Sequence, residues 1–143
     1  VEILVSTNLG AKAEALAKVA SGGELSRISL AIQVIAAQTS QIPSLVFDEV
    51  DVGIGGGVAK SIGNLLRNLG DKAQILCVTH QAQVASQGHH HFSVTKKTGE
   101  QGTLTCIEEL SGEAVVNEIA RMLGGDDFTD ESLAHAEQMI ISH

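Results

Sequence analysis

The 143 residues contain no GxxxxGK[ST] loop, so the usual lysine-bearing cradle for nucleotide phosphates is missing. Trp and Tyr are absent and aromatics make up 2% of the chain, which argues against base stacking on this segment. There is a single proline, Pro43, and the apolar runs are short, too short for a membrane-spanning helix of about 20 residues. The two cysteines, Cys77 and Cys106, sit in apolar strings without metal-type spacing, and read as free thiols of a cytoplasmic protein rather than a disulfide or zinc site. Positive charge is also scarce, with 9 Lys and Arg against 17 Asp and Glu and a net charge of −8. A DNA-binding face needs a basic stripe, so any contact with DNA is expected outside this segment. The opening Val1-Glu2-Ile3-Leu4-Val5 lacks the basic start of a secretory signal and reads as a chain cut from something larger.

What is present is apolar content of 43% in 14.9 kDa, enough for one domain over residues 1–143 with a real core. Ile3-Leu4-Val5 reads as a short strand, and residues 11–20 as a helix on propensity alone. Ser21 and Glu24 form an S-x-x-E capping box, followed by Leu25, Ile28, Ile32 and Ile35 at helical spacing, which predicts a helix to about Thr39. "SLVFD" (44–48) and "QILCVTH" (74–80) are continuous apolar runs, expected of strands buried on both faces. Between them, "VGIGGG" leads into a helix over roughly 58–69. A short helix near 81–86 follows, then "HHFSVTK" and "TLTCIEE" as an antiparallel hairpin. Val115, Ile119 and Met122 mark a helix closed by Gly124-Gly125, and Thr129 caps a last one. The fold class is α/β, with a largely parallel sheet, flanking helices and an antiparallel hairpin.

In a right-handed βαβ unit the ends of both buried strands point to one sheet edge, and ligands of open α/β sheets bind there. Asp48-Glu49 and Thr79-His80 therefore converge. An apolar strand ending in Asp-Glu suits nucleotide hydrolysis, because Mg²⁺ takes few protein ligands and an adjacent Glu can orient or deprotonate water. The glycines and unpaired amides at Ser21-Gly22-Gly23 suit an anion, although an ordinary helix cap has the same pattern.

Four blocks in order, "SGGELSR", "LVFDEVD", "GIGGG" and "CVTH", resemble the signature motif, Walker B strand, D-loop and switch histidine of ABC-type ATPases. "FDEVD" and "SGGE" are closer to SMC-like heads than to transporters. The longer strings "VASGGELSRISLAIQVIA", "FDEVDVGIGG", "CVTHQAQVAS" and "ARMLGG" are similar to a bacterial SMC-like DNA repair ATPase over nearly the whole chain. The resemblance implies the C-terminal lobe of an ATPase head, with the Walker A lobe and a long coiled coil supplied by another segment. It implies ATP and Mg²⁺ as cofactors, a second head of the same protein as partner, and DNA engaged through the full-length protein in double-strand break repair and recombination. By the same resemblance Asp48 serves Mg²⁺, Glu49 the hydrolytic water and His80 the γ-phosphate in cis. Ser21, Gly22 and Gly23 meet the γ-phosphate of nucleotide on the partner head, and Asp51 matches a "DE-x-D" pattern that suggests a nucleotide-side role. The implied location is the cytoplasm, at the nucleoid, with no membrane contact. Gly55 stands where many ABC proteins carry the D-loop aspartate, and Ala20 where the signature usually has Leu. Two other readings stay open: the head of a chromosome-organising SMC protein, and a non-catalytic domain that dimerises or binds small anions. In His89-His90-His91, an extended backbone puts His89 and His91 on one face, a pattern commoner in exposed segments than in metal sites.

Overall fold

A computed structural model describes residues 4–6, 10, 12–15, 22–39, 42–48, 51, 53–99, 102–127 and 129–141. In chain order the elements are β1 (Leu4–Val5), β2 (Glu14–Ala15), α1 (Gly22–Thr39), β3 (Ser44–Phe47), α2 (Gly56–Gly70) and β4 (Gln74–Cys77), then α3 (Ala82–Ala85), β5 (His91–Gly99), β6 (Gly102–Leu110), α4 (Glu113–Gly124) and α5 (Asp130–Ile141). The strands of the described residues form three pairs: β1 with β2 and β5 with β6 antiparallel, β3 with β4 parallel. Among the described residues the parallel part of the sheet is thus a single pair.

The first core lies under that pair. Leu30, Val34 and Ala37 of α1, Phe47 of β3, Ile54, and Ala59, Ile62, Leu66 and Leu69 of α2 bury together with Val84 of α3. The apolar stripe of α2 recurs at helical spacing, so one face packs while Lys60, Ser61 and Asn64 stay in water. The second core joins Val115, Ile119 and Ala120 of α4, Ala136 of α5 and Ala82 of α3. The four-residue α3 therefore contributes to both cores, Val84 to one and Ala82 to the other. Its approach to α2 is close: a Cβ built on Gly63 would stand 3.0 Å from the Gln83 carbonyl oxygen and nearer still to the Gln87 side chain. Arg67 of α2 reinforces the contact by donating from Nη1 to the Gln87 carbonyl at 2.7 Å.

Several expectations need correction. Glu14 and Ala15 are extended and pair with Leu4 and Val5 across a turn where Gly10 has φ +84°. The 12–15 stretch is therefore not helical, because strand pairing outweighs local helix propensity, and residues 16–20 lie outside the described set. The strands 44–47 and 74–77 are covered on one face only. Leu45, Phe47, Ile75 and Cys77 turn toward the core, whereas Val46 (68% exposed), Leu76 and Val78 face solvent. Helix α1 likewise packs through Leu30, Val34 and Ala37, and leaves Leu25, Ile32 and Ile35 exposed. Its sequence is apolar on more than one side, so spacing alone could not select the packed face. Thr129 does cap α5, its Oγ1 accepting from the Ser132 amide at 3.3 Å, and Asp130 and Glu131 suit the helix start.

Candidate functional site at the carboxyl edge of the parallel pair

Strand β3 runs beside β4 from Ser44↔Gln74 to Phe47↔Cys77, and the Val78 amide adds one more rung to the Phe47 carbonyl at 2.8 Å. Asp48 follows β3 directly and is exposed. Thr79 and His80 follow β4 in a bend, so the strand stops three residues short of the histidine. Parallel pairing brings both ends to one edge, as the βαβ connection through α2 requires.

Asp51 organises that edge. It is 0% exposed, and its Oδ2 accepts from three donors: Thr79 Oγ1, the His80 amide at 3.0 Å and the Gln81 amide at 3.1 Å. Gln81 returns the contact, its Nε2 donating to the Asp51 carbonyl at 3.2 Å and to the Ile54 carbonyl at 2.7 Å. The turn after β3 and the bend after β4 are thereby locked to each other through Asp51 Oδ2 and the Gln81 side chain. The other carboxylate oxygen, Oδ1, is 3.3 Å from His80 Nδ1, within ion-pair reach but off hydrogen-bond alignment, and has no hydrogen bond. The His80 side chain is 70% exposed. Asp51, matched to a nucleotide-side pattern, thus faces inward onto the bend that carries His80. The sequence reading missed Thr79 and Gln81 as partners; their polar side chains flanking a strand-end histidine were the available signal.

The electrostatic imprint appears at Cys77, on the inner face beneath these acids. Its thiol is pushed up to about 11, first by burial, then by Asp51 and then by Asp48. Both cysteines are free. Ser21 and Glu49 lie outside the described residues, whereas Gly22 and Gly23 form the first turn of α1. Among the described residues no three His, Cys, Asp or Glu side chains gather into a metal-ligand set. One exposed carboxylate at a strand end does fit Mg²⁺ that arrives with phosphates, since that ion keeps several waters and takes one or two protein carboxylates.

The histidine run divides. His89 Nε2 lies 3.4 Å from Asp71 Oδ1 and His90 Nδ1 3.8 Å from Glu109 Oε1. His91 begins β5 half-buried, and desolvation lowers its pKa against an opposing backbone hydrogen bond at Gly88. Since the strand starts only at His91, His89 and His91 do not share an extended face. Among the described residues no helix is long and apolar enough to cross a membrane.

No family model matches the chain. The chain is 54% identical over 142 residues to the DNA repair protein RecN of Vibrio cholerae, 99% of this chain and 26% of that protein. To the DNA repair protein RecN of Bacillus subtilis it is 40% identical over 140 residues, 98% and 24% respectively. It spans about a quarter of the length of the RecN proteins it matches. Among solved structures, one from work on ATP-driven dimerization and DNA-stimulated activation of SMC ATPases superposes with a TM-score of 0.65 at 18% identity, over 80% of this chain and 68% of that one. The Smc head domain with a coiled coil and joint from Pyrococcus yayanosii gives 0.65 at 19% identity, over 77% of this chain and 20% of that one. These likenesses fix the fold as that of SMC heads. By sequence along nearly its whole length the chain belongs with the RecN proteins, and its α/β core has the fold seen in SMC head domains.

Proposed function

We propose that this chain is the C-terminal lobe of an ATPase head in a RecN-like protein of DNA double-strand break repair and recombination. The observation that carries the reading is an exposed Asp48 and an exposed His80 at adjacent ends of parallel strands, in a sequence 54% identical to a RecN. The open face of β3 and β4 supports it: Val46, Leu76 and Val78 are apolar where a further layer of the head would pack. That layer is the lobe carrying the Walker A lysine.

In this reading Asp48 holds Mg²⁺ through water, Glu49 orients the attacking water and accepts its proton, and His80 meets the γ-phosphate from the same head. Mg²⁺, when bound, neutralises charge on the phosphate oxygens. Ser21, Gly22 and Gly23 close over nucleotide on a second head, where the amides at the start of α1 suit an anion. ATP-driven pairing of two heads would then couple to DNA association through the full-length protein, in the cytoplasm at the nucleoid.

The test is a titration of ATP against this chain with and without the lobe that supplies the lysine loop. Tight binding and magnesium-dependent turnover are expected only with both pieces. Turnover by the 143-residue chain alone, with contaminants excluded, would overturn the split-head reading, and anion binding by it alone would favour a simple anion-binding domain. In the full-length protein, Glu49→Gln is expected to keep ATP-driven head pairing while losing most hydrolysis.

A further inference from the structure

We propose that Asp51 is a positioning residue for the His80 imidazole: its Oδ1 accepts a hydrogen bond from Nδ1–H, so that Nε2 is the ring atom presented outward to a ligand. The functional part of this inference rests on the reading of His80 given above; the geometric part does not. Three observations carry it. First, Asp51 is fully buried, yet only Oδ2 is used by the bend, accepting from Thr79, His80 and Gln81. Second, Oδ1 is buried without a hydrogen bond, and an unmade bond at a buried acceptor is costly. Third, His80 Nδ1 stands 3.3 Å from that oxygen, within reach of the bond once the ring N–H is aimed at it. The same carboxylate thus fixes the backbone of the bend with one oxygen and the ring with the other.

The consequence is chemical as well as positional. The two imidazole nitrogens differ, and the partner of one decides the role of the other. A carboxylate at Nδ1 accepts and cannot donate, so in the neutral ring the proton resides on Nδ1. An exposed histidine without such a partner would choose its rotamer and tautomer from solvent. Thr79 and Gln81 keep the carboxylate aimed, which extends the positioning unit to Asp51, Thr79 and Gln81.

Asp51→Asn separates this role from the clasp. The amide oxygen can replace Oδ2 and keep the three donors, which leaves the amide NH₂ facing His80 Nδ1. That nitrogen must then accept, and the ring proton moves to Nε2. The readout is the pair of imidazole ¹⁵N shifts of His80 in the labelled chain at alkaline pH, assigned by their loss in His80→Ala. The Nδ1–H form is expected in the unsubstituted chain and the Nε2–H form in Asp51→Asn, with the Gln81 amide resonance retained as a check on the clasp. An Nε2–H form in the unsubstituted chain, or the same tautomer in both, would overturn the proposal; the first outcome requires no variant to fold.

In the full-length protein, Asp51→Asn is expected to lower kcat for ATP about tenfold or more with KM far less affected, as loss of an orienting partner does. Added to His80→Ala it should change turnover no further, because it acts through the ring. Additive losses would make Asp51 a structural residue only. Should His80→Ala leave turnover intact, the γ-phosphate role of His80 falls, while the ¹⁵N shifts still decide the role of Asp51.

Discussion

The parallel pair β3–β4 and the hairpin β5–β6 spend their residues in opposite ways. The parallel pair has four paired positions and the hairpin nine. In the short pair, Phe47 is buried, Leu45, Ile75 and Cys77 lean on the first core, and the ends are tied by a buried carboxylate. In the long hairpin, Phe92, Val94, Leu104 and Ile107 are exposed, and Leu110 at its base joins the second core. Ladder length therefore does not measure anchoring. The hairpin pairs its two strands with each other along nine positions, while the parallel strands depend on helices α1 and α2 for cover and on Asp51 for their ends. A site that needs groups held in place is better served by the second arrangement.

The largest expected effect is at the anchor of the short pair. Phe47→Ala should destabilise the chain by about 3–5 kcal/mol, as large buried side chains do when truncated; a urea-unfolding midpoint close to that of the unsubstituted chain would show that β3 is not held by this core. Next comes Asp51→Ala, which removes the acceptor of three donors at once and should cost about 3 kcal/mol. Chemical denaturation measures it, with faster exchange of the His80 and Gln81 amides as the local sign.

Cys77 sharpens the comparison through pH. Its folded pKa of about 11 lies above the value of 9.0 for a free thiol. Below about pH 9 the thiol is protonated in both states and pH has no effect through it. Between 9 and about 11 the unfolded chain loses the proton first, so stability falls as pH rises. Alkylation of Cys77 at neutral pH should accordingly be much slower in the folded than in the denatured chain; equal rates would mean that its side of the pair is open to water. The smallest effect is expected in the hairpin. Ile107→Thr should change stability by no more than about 0.5 kcal/mol, because the side chain is 69% exposed. A loss of several kcal/mol would reveal a packed face there and erase the contrast between the two regions.

Much of this was legible in the sequence where one signal outweighed its rivals. The hairpin, α2, α4 and α5 followed from alternation, helical stripes and capping, and the convergence of Asp48 and His80 followed from βαβ handedness. Residues 12–15 were not, since an alanine-rich string has no stripe to oppose the pairing of Glu14 and Ala15 with β1. The packed face of α1 was equally hidden, because apolar residues on several sides satisfy helical spacing in more than one way. Asp51 shows the limit most clearly: its pattern singled it out, but neither its burial nor its three donors from the bend after β4 could be read there.

By itself the sequence determined the elements from α1 onward, their order and the sheet edge to which Asp48 and His80 belong, because periodicity and connection handedness are local or nearly so. Tertiary structure alone decided which apolar faces are covered and which carboxylate is buried. Those outcomes depend on segments 28–30 residues apart in the chain, Asp51 against Thr79 to Gln81, closing on each other, and nothing within either stretch encodes the other's approach.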